Sequence, residues 1–269
     1  MALPARSQPR TRSSAPLPVI ILAAAGAAFF ILPLLALLER TPWTSAWHQL
    51  GSPEVLAALR LSLLASFSAT GIALIVGVPL AWTFARLTFR GRPVLRALTV
   101  LPMVLPPVVG GVALLLAFGR RGLLGGWLAA FGIHLPFTTA GAIVAETFVA
   151  MPFLIITVEA GLNSMDRRFE DAARTLGARP WTVMWRVTLP LVRPSLLAGA
   201  VLCWARALGE FGATITFAGN FPGRTQTMPL AVYLALETNP DAAIVLSLVL
   251  LAVSLAVLIG LHDRWLGAS

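Results

Sequence analysis

The sequence predicts an all-α protein with several membrane spans, and three observations lead to that prediction. Of the 269 residues, 58% are hydrophobic and 12% are charged, whereas about 25% of the residues in soluble domains are charged. The mean hydropathy of the chain is +0.84. The apolar residues also form blocks long enough to cross a bilayer as helices, which takes about 20 residues each. An ordinary soluble domain is therefore excluded.

Six apolar blocks are predicted to span the membrane. The first, residues 17–38, is longer than the apolar core of a cleaved signal peptide, so we expect an uncleaved anchor. It follows residues 1–16, an Arg-, Ser- and Pro-rich segment that we predict to be a disordered cytoplasmic tail. Residues 17–269 are predicted to form a single transmembrane domain. The remaining blocks are 56–85, 97–118, 138–161, 195–219 and 242–262.

The arginines predict how the chain is oriented. The net charge is +9, all 20 Lys+Arg residues are arginine, and such residues concentrate in cytoplasmic loops. With the N-terminus inside, fourteen arginines lie in cytoplasmic segments and four in outer loops. We therefore expect both termini in the cytoplasm, residues 119–137 outside and residues 163–194 inside. The four outer arginines are Arg40, Arg120, Arg121 and Arg224.

The same composition excludes several kinds of chemistry. Without lysine the chain cannot form a P-loop, whose lysine contacts nucleotide phosphates, so any ATP would have to bind to another chain. The three histidines and the single Cys203 are scattered and show no metal-ligand spacing. We expect no catalytic residue, no metal site and no cofactor in this chain. Because the arginines flank apolar blocks, they indicate membrane topology and not nucleic-acid binding.

The third apolar block contains the segment LPMVLPPVVGG, residues 101–111. Prolines leave backbone carbonyls without partners at membrane depth, so this span is expected to be bent and packed among other helices. Two interpretations remain open for it. One is a kinked structural helix, and the other is a broken helix that borders a transport path.

Residues 162–194 are too polar to cross the membrane, and their sequence predicts a helix-turn-helix at its surface. Asp166 fits the N-cap of a first helix. Gly177 fits the left-handed residue that stops it. Pro180 fits the first turn of a second helix, which should end before Pro190.

The first helix of this loop carries small residues beside acidic ones. Ala172 and Ala173 would let another backbone approach closely, and Glu170 and Asp171 are expected on the same surface. An ordinary amphipathic hairpin is the alternative interpretation.

The segment EDAARTLG, followed by VTLP, resembles the cytoplasmic EAA loop of ATP-binding-cassette importer permeases. The positions that match the pattern are Glu170, Ala172, Ala173, Gly177, Leu189 and Pro190. Asp171 stands where many members have alanine. In that family the loop docks into a cleft on a separate ATPase subunit. The resemblance covers roughly residues 50–262 and implies a transport subunit that is not an enzyme, with ATP and Mg on the partner. It implies coupling roles for Glu170, Asp171, Ala172, Ala173 and Gly177.

A second segment, ARALGEFGATITFAGN at residues 205–220, resembles the molybdate permeases of that family, and FPGRTQTMPLAVY continues the likeness. Sulfate/thiosulfate permeases share its R-x-x-GEFG core. The resemblance implies import of molybdate or tungstate, with sulfate or thiosulfate as the alternative. It also implies a multi-pass protein of the bacterial inner membrane, surrounded by lipid. The implied partners are a second copy of the chain, cytoplasmic ATPase subunits and an extracytoplasmic oxyanion-binding protein.

Charged residues lie within the fifth apolar block. On one continuous helix, Arg206, Glu210 and Thr214 would share a face. An unpaired arginine at the membrane centre costs about 2.5–3.5 kcal/mol on insertion scales, and an ion pair with Glu210 lowers that cost. These three residues are candidates for the transport path, although a purely structural ion pair is the alternative. Arg60 and Glu146 are expected to form a second pair.

Two other classes of function remain. An ATP-independent anion transporter would use the long inner loop as a simple connector. A membrane scaffold without transport would leave the polar residues of the fifth block unexplained.

Overall fold

The computed structural model describes residues 16–265, and within that range the secondary structure is helical. The predicted tail at 1–16 lies outside the described residues, except for Pro16. Four helices are long and apolar enough to cross a membrane, and they match the first, second, fourth and sixth predicted spans. These helices are α1 (Leu17–Glu39), α3 (Pro53–Arg86), α7 (Thr139–Ser164) and α14 (Pro240–Trp265).

The chain divides into two compact units, one ending at Thr41 and the other starting at Pro42. The first unit contains α1, and the second contains every other helix. The shorter helices are α2 (Trp43–Leu50), α4 (Arg92–Val104), α5 (Pro107–Phe118), α6 (Gly125–Ala130), α8 (Arg168–Thr175), α9 (Pro180–Val183), α10 (Leu189–Leu191), α11 (Arg193–Leu208), α12 (Gly212–Ala218) and α13 (Met228–Thr238). A π-helical turn, Met184–Thr188, joins α9 to α10.

The third predicted span is two helices, α4 and α5. Leu105 and Pro106 between them are extended, with ψ values of 139° and 129°. Each precedes a proline, and a proline disfavours the helical conformation in the residue before it. The geometry therefore agrees with the broken-helix interpretation, while its role beside a path stays a prediction.

The fifth predicted span is also broken, and the prediction of one helix over 195–219 is wrong. Helix α11 ends at Leu208 and α12 begins at Gly212. The Glu210 carboxylate starts the new helix, because its Oε1 accepts a hydrogen bond from the Ala213 N–H at 2.8 Å. Before α11, the helical segment Pro180–Leu191 meets it at an angle of 74°.

The second helix of the long loop does not end before Pro190, as the sequence predicted. It continues through the π-helical turn, in which the Leu189 N–H bonds to the Met184 carbonyl five residues earlier. This wider turn changes the helical register just before Pro190, which has no N–H of its own to donate. The helix therefore reaches Leu191.

The core of the second unit lies where α3, α7 and α11 pack together. Small residues permit the close approach, as is common between membrane helices. Gly77 of α3 lies against Leu154 and Ile155 of α7, and Gly199 of α11 also faces Leu154. A smaller cluster joins α5, α7 and α12 around Phe217.

Candidate functional site

Helix α8 of the long loop is closed at both ends. The N-cap is Arg167 and not the predicted Asp166. The Asp166 carboxylate, one residue earlier, accepts a hydrogen bond from the Arg168 N–H at 2.9 Å. At its end Gly177 has a φ of +81°. The Gly177 N–H donates to the Arg174 carbonyl and the Ala178 N–H to the Ala173 carbonyl, which is a Schellman motif. The predicted turn at Gly177 is confirmed.

Glu170 faces the protein interior, contrary to the expectation that it shares a surface with Asp171. It is 3% exposed. Its Oε2 lies 3.1 Å from Arg86 Nε, and its Oε1 accepts a hydrogen bond from the Thr188 hydroxyl at 2.7 Å. Glu170 thus fastens α8 to the end of α3 and to the π-helical turn.

Two further arginine contacts support this attachment. Arg86 donates to the Leu162 carbonyl at 3.0 Å, and Arg167 donates to the Ala85 carbonyl at 3.1 Å. Sequence reasoning missed Arg86, because it counted this residue only as an inner positive charge. No residue near Arg86 in the sequence indicates its partner, because the chain has no Asp or Glu between Glu54 and Glu146.

The other predicted coupling residues lie on the outer side of α8. Asp171, Ala172 and Gly177 are exposed, and Ala173 is half-buried. Leu176, beside them, is 89% exposed. We call Asp171, Ala172, Leu176 and Gly177 the α8 surface. It is a small, partly apolar patch on the exposed side of α8. The opposite side of the helix is fixed by the contacts of Glu170 with Arg86 and Thr188.

The predicted ion pair between Arg206 and Glu210 is present in the structure. The Glu210 side chain is 1% exposed and the Arg206 side chain 27%. Because Glu210 also accepts the Ala213 N–H, one carboxylate joins α11 to the N-terminus of α12. A negative charge is favourable there because backbone N–H groups and the helix dipole point toward it.

Thr214 does not share a face with Arg206 and Glu210, because the helix breaks between them. It is fully buried inside α12. The predicted pair of Arg60 and Glu146 is wrong for the described structure: Arg60 lies on an exposed side of α3, whereas Glu146 is buried in α7. Glu146 lies near enough to Glu210 for their charges to interact.

No group of three or more His, Cys, Asp or Glu side chains within the described range is arranged to hold a metal ion. Cys203 is buried in α11.

Comparison with known proteins identifies the family. Residues 73–268 match the family model described as binding-protein-dependent transport system inner membrane component. This chain belongs to that family. It is thus a polytopic membrane protein of a transport system, and the prediction that the chain is an importer permease is confirmed; the coupling role of its long loop stays a prediction.

Several members of the family are similar over most of the chain. The molybdenum transport system permease protein ModB of Mycobacterium tuberculosis is 48% identical over 248 residues, covering 91% of this chain and 93% of that protein. ModB of Escherichia coli is 42% identical over 218 residues, covering 81% and 95%. The sulfate transport system permease protein CysT of Escherichia coli is 38% identical over 236 residues, covering 86% and 85%.

Solved structures share the fold. A bacterial ABC transporter involved in the import of the acidic polysaccharide alginate superposes with a TM-score of 0.72 at 18% identity, covering 94% of each chain. The same score is found for the alginate transporter in complex with an alginate pentasaccharide-bound periplasmic protein, covering 92% of this chain and 93% of that chain.

Proposed function

We propose that this chain is the permease of an importer that carries molybdate, or the similar tungstate, into the cytoplasm. The observation that supports this most is the 42–48% identity to ModB proteins of two bacteria. Identity to a sulfate permease is lower, at 38%, so sulfate is the second candidate. The family membership also favours an importer supplied by a binding protein over an ATP-independent transporter or a scaffold.

The ATPase partner is proposed to dock on the α8 surface. This helix is short, capped at both ends and attached to α3 through Glu170 and Arg86. A movement of α8 would therefore be passed directly to a membrane-spanning helix. ATP and Mg belong to that partner, and Asp171, Ala172, Ala173 and Gly177 are the proposed contacts on this chain, with Glu170 as the internal attachment.

The other proposed partners are a second copy of the chain and an extracytoplasmic oxyanion-binding protein. The family description and the alginate transporter with its periplasmic protein support the second of these. The proposed orientation places both termini and α8 in the cytoplasm, in agreement with the distribution of arginines.

Arg206 and Glu210 are proposed to border the transport path. Arg206 is partly exposed although it belongs to a membrane-embedded segment, and such residues face protein interiors or aqueous cavities far more often than lipid. A guanidinium half-neutralised by a carboxylate would contact a passing dianion without holding it tightly.

Uptake into proteoliposomes tests the substrate. The permease, its ATPase and its binding protein are reconstituted, and radiolabelled molybdate and sulfate are supplied separately. ATP-dependent uptake of molybdate that excess tungstate blocks and excess sulfate leaves largely intact is expected. Preferential uptake of sulfate would establish the second candidate. Equal uptake with a hydrolysis-deficient ATPase would contradict an ATP-driven importer.

A further inference from the structure

A cavity of about 480 Å³ lies beside the start of α7, in the part of the chain assigned to the outer side. Its polar lining includes Arg120, His134, Thr138 and Arg224. No acidic residue lines it. The lining of the cavity is therefore basic. Only four arginines of the chain are assigned to the outer side, and two of them line this cavity.

The positive charge in this cavity is not neutralised by the described residues. The ion pairs found in the described range involve Arg86, Arg96, Arg174 and Arg206, and none involves Arg120 or Arg224. The sequence has no Asp or Glu between Glu54 and Glu146. Uncompensated charge in a concave site attracts anions, and guanidinium groups bind the oxygens of tetrahedral oxyanions in a bidentate manner.

The N-terminus of α7 adds to this field. Thr138, which lines the cavity, is the N-cap of this 26-residue helix. Its hydroxyl accepts the Gly141 N–H at 3.1 Å. The N-terminus of a long helix carries a partial positive charge that favours anions, so it acts together with the two arginines.

The wall of the cavity is also attached to the broken fifth span. Phe137 has a φ of +61°, which is unusual for a bulky residue. Its N–H donates to the carbonyl of Phe217, near the end of α12, at 3.3 Å. The Thr139 hydroxyl donates to the Arg224 carbonyl at 2.8 Å. The cavity and α12, which begins beside Glu210, thus belong to one connected region.

We propose that this cavity is a receiving site for a tetrahedral oxyanion dianion, occupied after the binding protein releases it and before it reaches Arg206. The proposal rests on the proposed function and orientation. It assigns Arg120 and Arg224 the role of direct ligands, and it places a second anion contact upstream of the membrane ion pair.

Direct binding tests the proposal without the binding protein. The full-length chain is placed in lipid nanodiscs and titrated with radiolabelled molybdate by equilibrium dialysis. Saturable binding is expected, and Arg120→Gln and Arg224→Gln should each weaken it by about tenfold or more, since hydrogen bonds to charged groups contribute that much. Arg121→Gln is the matched control, because this exposed neighbour does not line the cavity.

Three results would overturn the receiving site. The first is that the unmodified chain shows no saturable binding of molybdate. The second is that both cavity variants bind molybdate as well as the unmodified chain. The third is that Arg121→Gln loses as much binding as the cavity variants, which would attribute the effect to general surface charge. Docking of the binding protein to the same nanodiscs is measured in parallel. If the cavity variants weaken docking but not molybdate binding, the arginines bind the partner protein and the proposal is wrong.

A parallel titration with sulfate separates this proposal from the proposed substrate. If the chain binds and imports sulfate in preference to molybdate, and the cavity variants lose sulfate binding, the receiving site stands and the molybdate assignment fails. If molybdate uptake is confirmed but the cavity variants bind it normally, only the receiving site fails.

Discussion

At the scale of single residues, the Glu210 carboxylate makes two different contacts. One oxygen accepts the backbone N–H of Ala213, and the other pairs with Arg206. The two contacts lie on opposite sides of a helix break. A variant that removes the carboxylate therefore disturbs both the charge balance and the start of α12, and an informative test has to separate these effects.

The amide of glutamine makes that separation possible, because its oxygen can still accept the Ala213 N–H. Glu210→Gln alone leaves the partly exposed Arg206 without its partner, and we expect a loss of about 1–3 kcal/mol in stability with poor recovery of the assembled complex in detergent. The double variant Arg206→Leu with Glu210→Gln removes both charges and keeps the cap. It should assemble normally and fail in molybdate uptake, because no cation remains to meet the dianion.

The double variant shows whether Arg206 and Glu210 line the transport path or only stabilise helix packing. Assembly is measured by recovery of the complex in detergent, and transport by uptake into proteoliposomes. Near-normal uptake by the double variant would show that the pair serves only helix packing.

Glu170 provides a second test at the residue scale. Its ion pair with Arg86 is buried, whereas the pair of Asp171 and Arg174 is exposed. Glu170→Gln should cost about 3–5 kcal/mol because it leaves a buried guanidinium unpaired. The control Asp171→Asn should cost about 0–1 kcal/mol. Limited proteolysis of the loop checks both: rapid cleavage is expected only in Glu170→Gln, and equal rates in the two variants would contradict the internal attachment.

At the scale of secondary-structure elements, the two broken spans pack against each other. Gly212 at the start of α12 lies so close to α5 that an added Cβ would be 2.7 Å from the Pro107 Cβ. An added Cβ on Gly111 of α5 would be 2.6 Å from the Thr216 Cβ and 2.9 Å from the Ala213 carbonyl oxygen. The helix halves therefore touch through backbone atoms, and neither glycine tolerates a side chain.

Substitution by alanine tests this contact. Gly111→Ala should destabilise the protein by about 1–3 kcal/mol through overpacking. Gly71→Ala is the matched control, since it lies in helix α3 and its added Cβ would meet nothing within 4 Å. The control should be neutral or stabilising by about 0.5–1 kcal/mol. Thermal unfolding in detergent measures both, and a melting temperature that is unchanged in Gly111→Ala would contradict the tight packing.

The docking function of the α8 surface is tested by the residue that ends the helix. Gly177→Leu strains a backbone with a φ of +81°, so the α8 surface should lose its shape. We expect this variant to insert and assemble. It should bind its ATPase at least about tenfold more weakly than the unmodified chain. Gly91→Leu is the control, with a similar φ of +87° outside the loop. Ala172→Trp should also weaken ATPase binding. Co-purification of the ATPase is the measurement, and equal recovery in all three variants would exclude this surface as the docking site.

At the scale of the whole molecule, hydropathy predicts the long helices well because each buries a continuous apolar stretch. The predicted block 138–161 corresponds to α7, Thr139–Ser164. Hydropathy does not detect a break such as that between Leu208 and Gly212, because apolar residues flank it on both sides and raise the average over the window. At that break the Glu210 carboxylate accepts the Ala213 N–H at the start of α12, a contact that a hydropathy average does not represent.

Long-range pairing is the other part that the sequence did not predict. Glu170 and Arg86 are far apart along the chain, and nothing local indicates that they meet. The predicted pair of Glu146 and Arg60 rested on their position in the outer halves of two predicted spans. Ion pairing also requires that the two side chains point toward each other, and Arg60 faces the exposed side of α3. By contrast, the turn at Gly177 was predicted correctly, because a helix stop depends on neighbouring residues only. The N-cap was predicted one residue too early, at Asp166, although the Asp166 carboxylate does accept a hydrogen bond at the start of α8.

The orientation of the chain is tested by single cysteines introduced after Cys203 is replaced. Leu123 and Leu176 are suitable positions because they are 87% and 89% exposed. Leu123→Cys should react with an impermeant thiol reagent in intact cells, and Leu176→Cys only after permeabilisation, because the arginine distribution places them on opposite sides. The reverse labelling pattern would invert the topology.

The length of helix α3 allows it to transmit a movement from one side of the membrane to the other. Its 34 residues extend over about 51 Å at 1.5 Å per residue, which exceeds the full thickness of a bilayer, about 40–45 Å. At one end Arg86 holds α8, and toward the other end the Ser62 hydroxyl accepts the Met228 N–H at 2.7 Å. A tilt of about 10° would shift one end of such a rod by about 9 Å relative to the other. In the proposed orientation, a displacement of α8 at the cytoplasmic face would be transmitted along α3 toward the opposite surface.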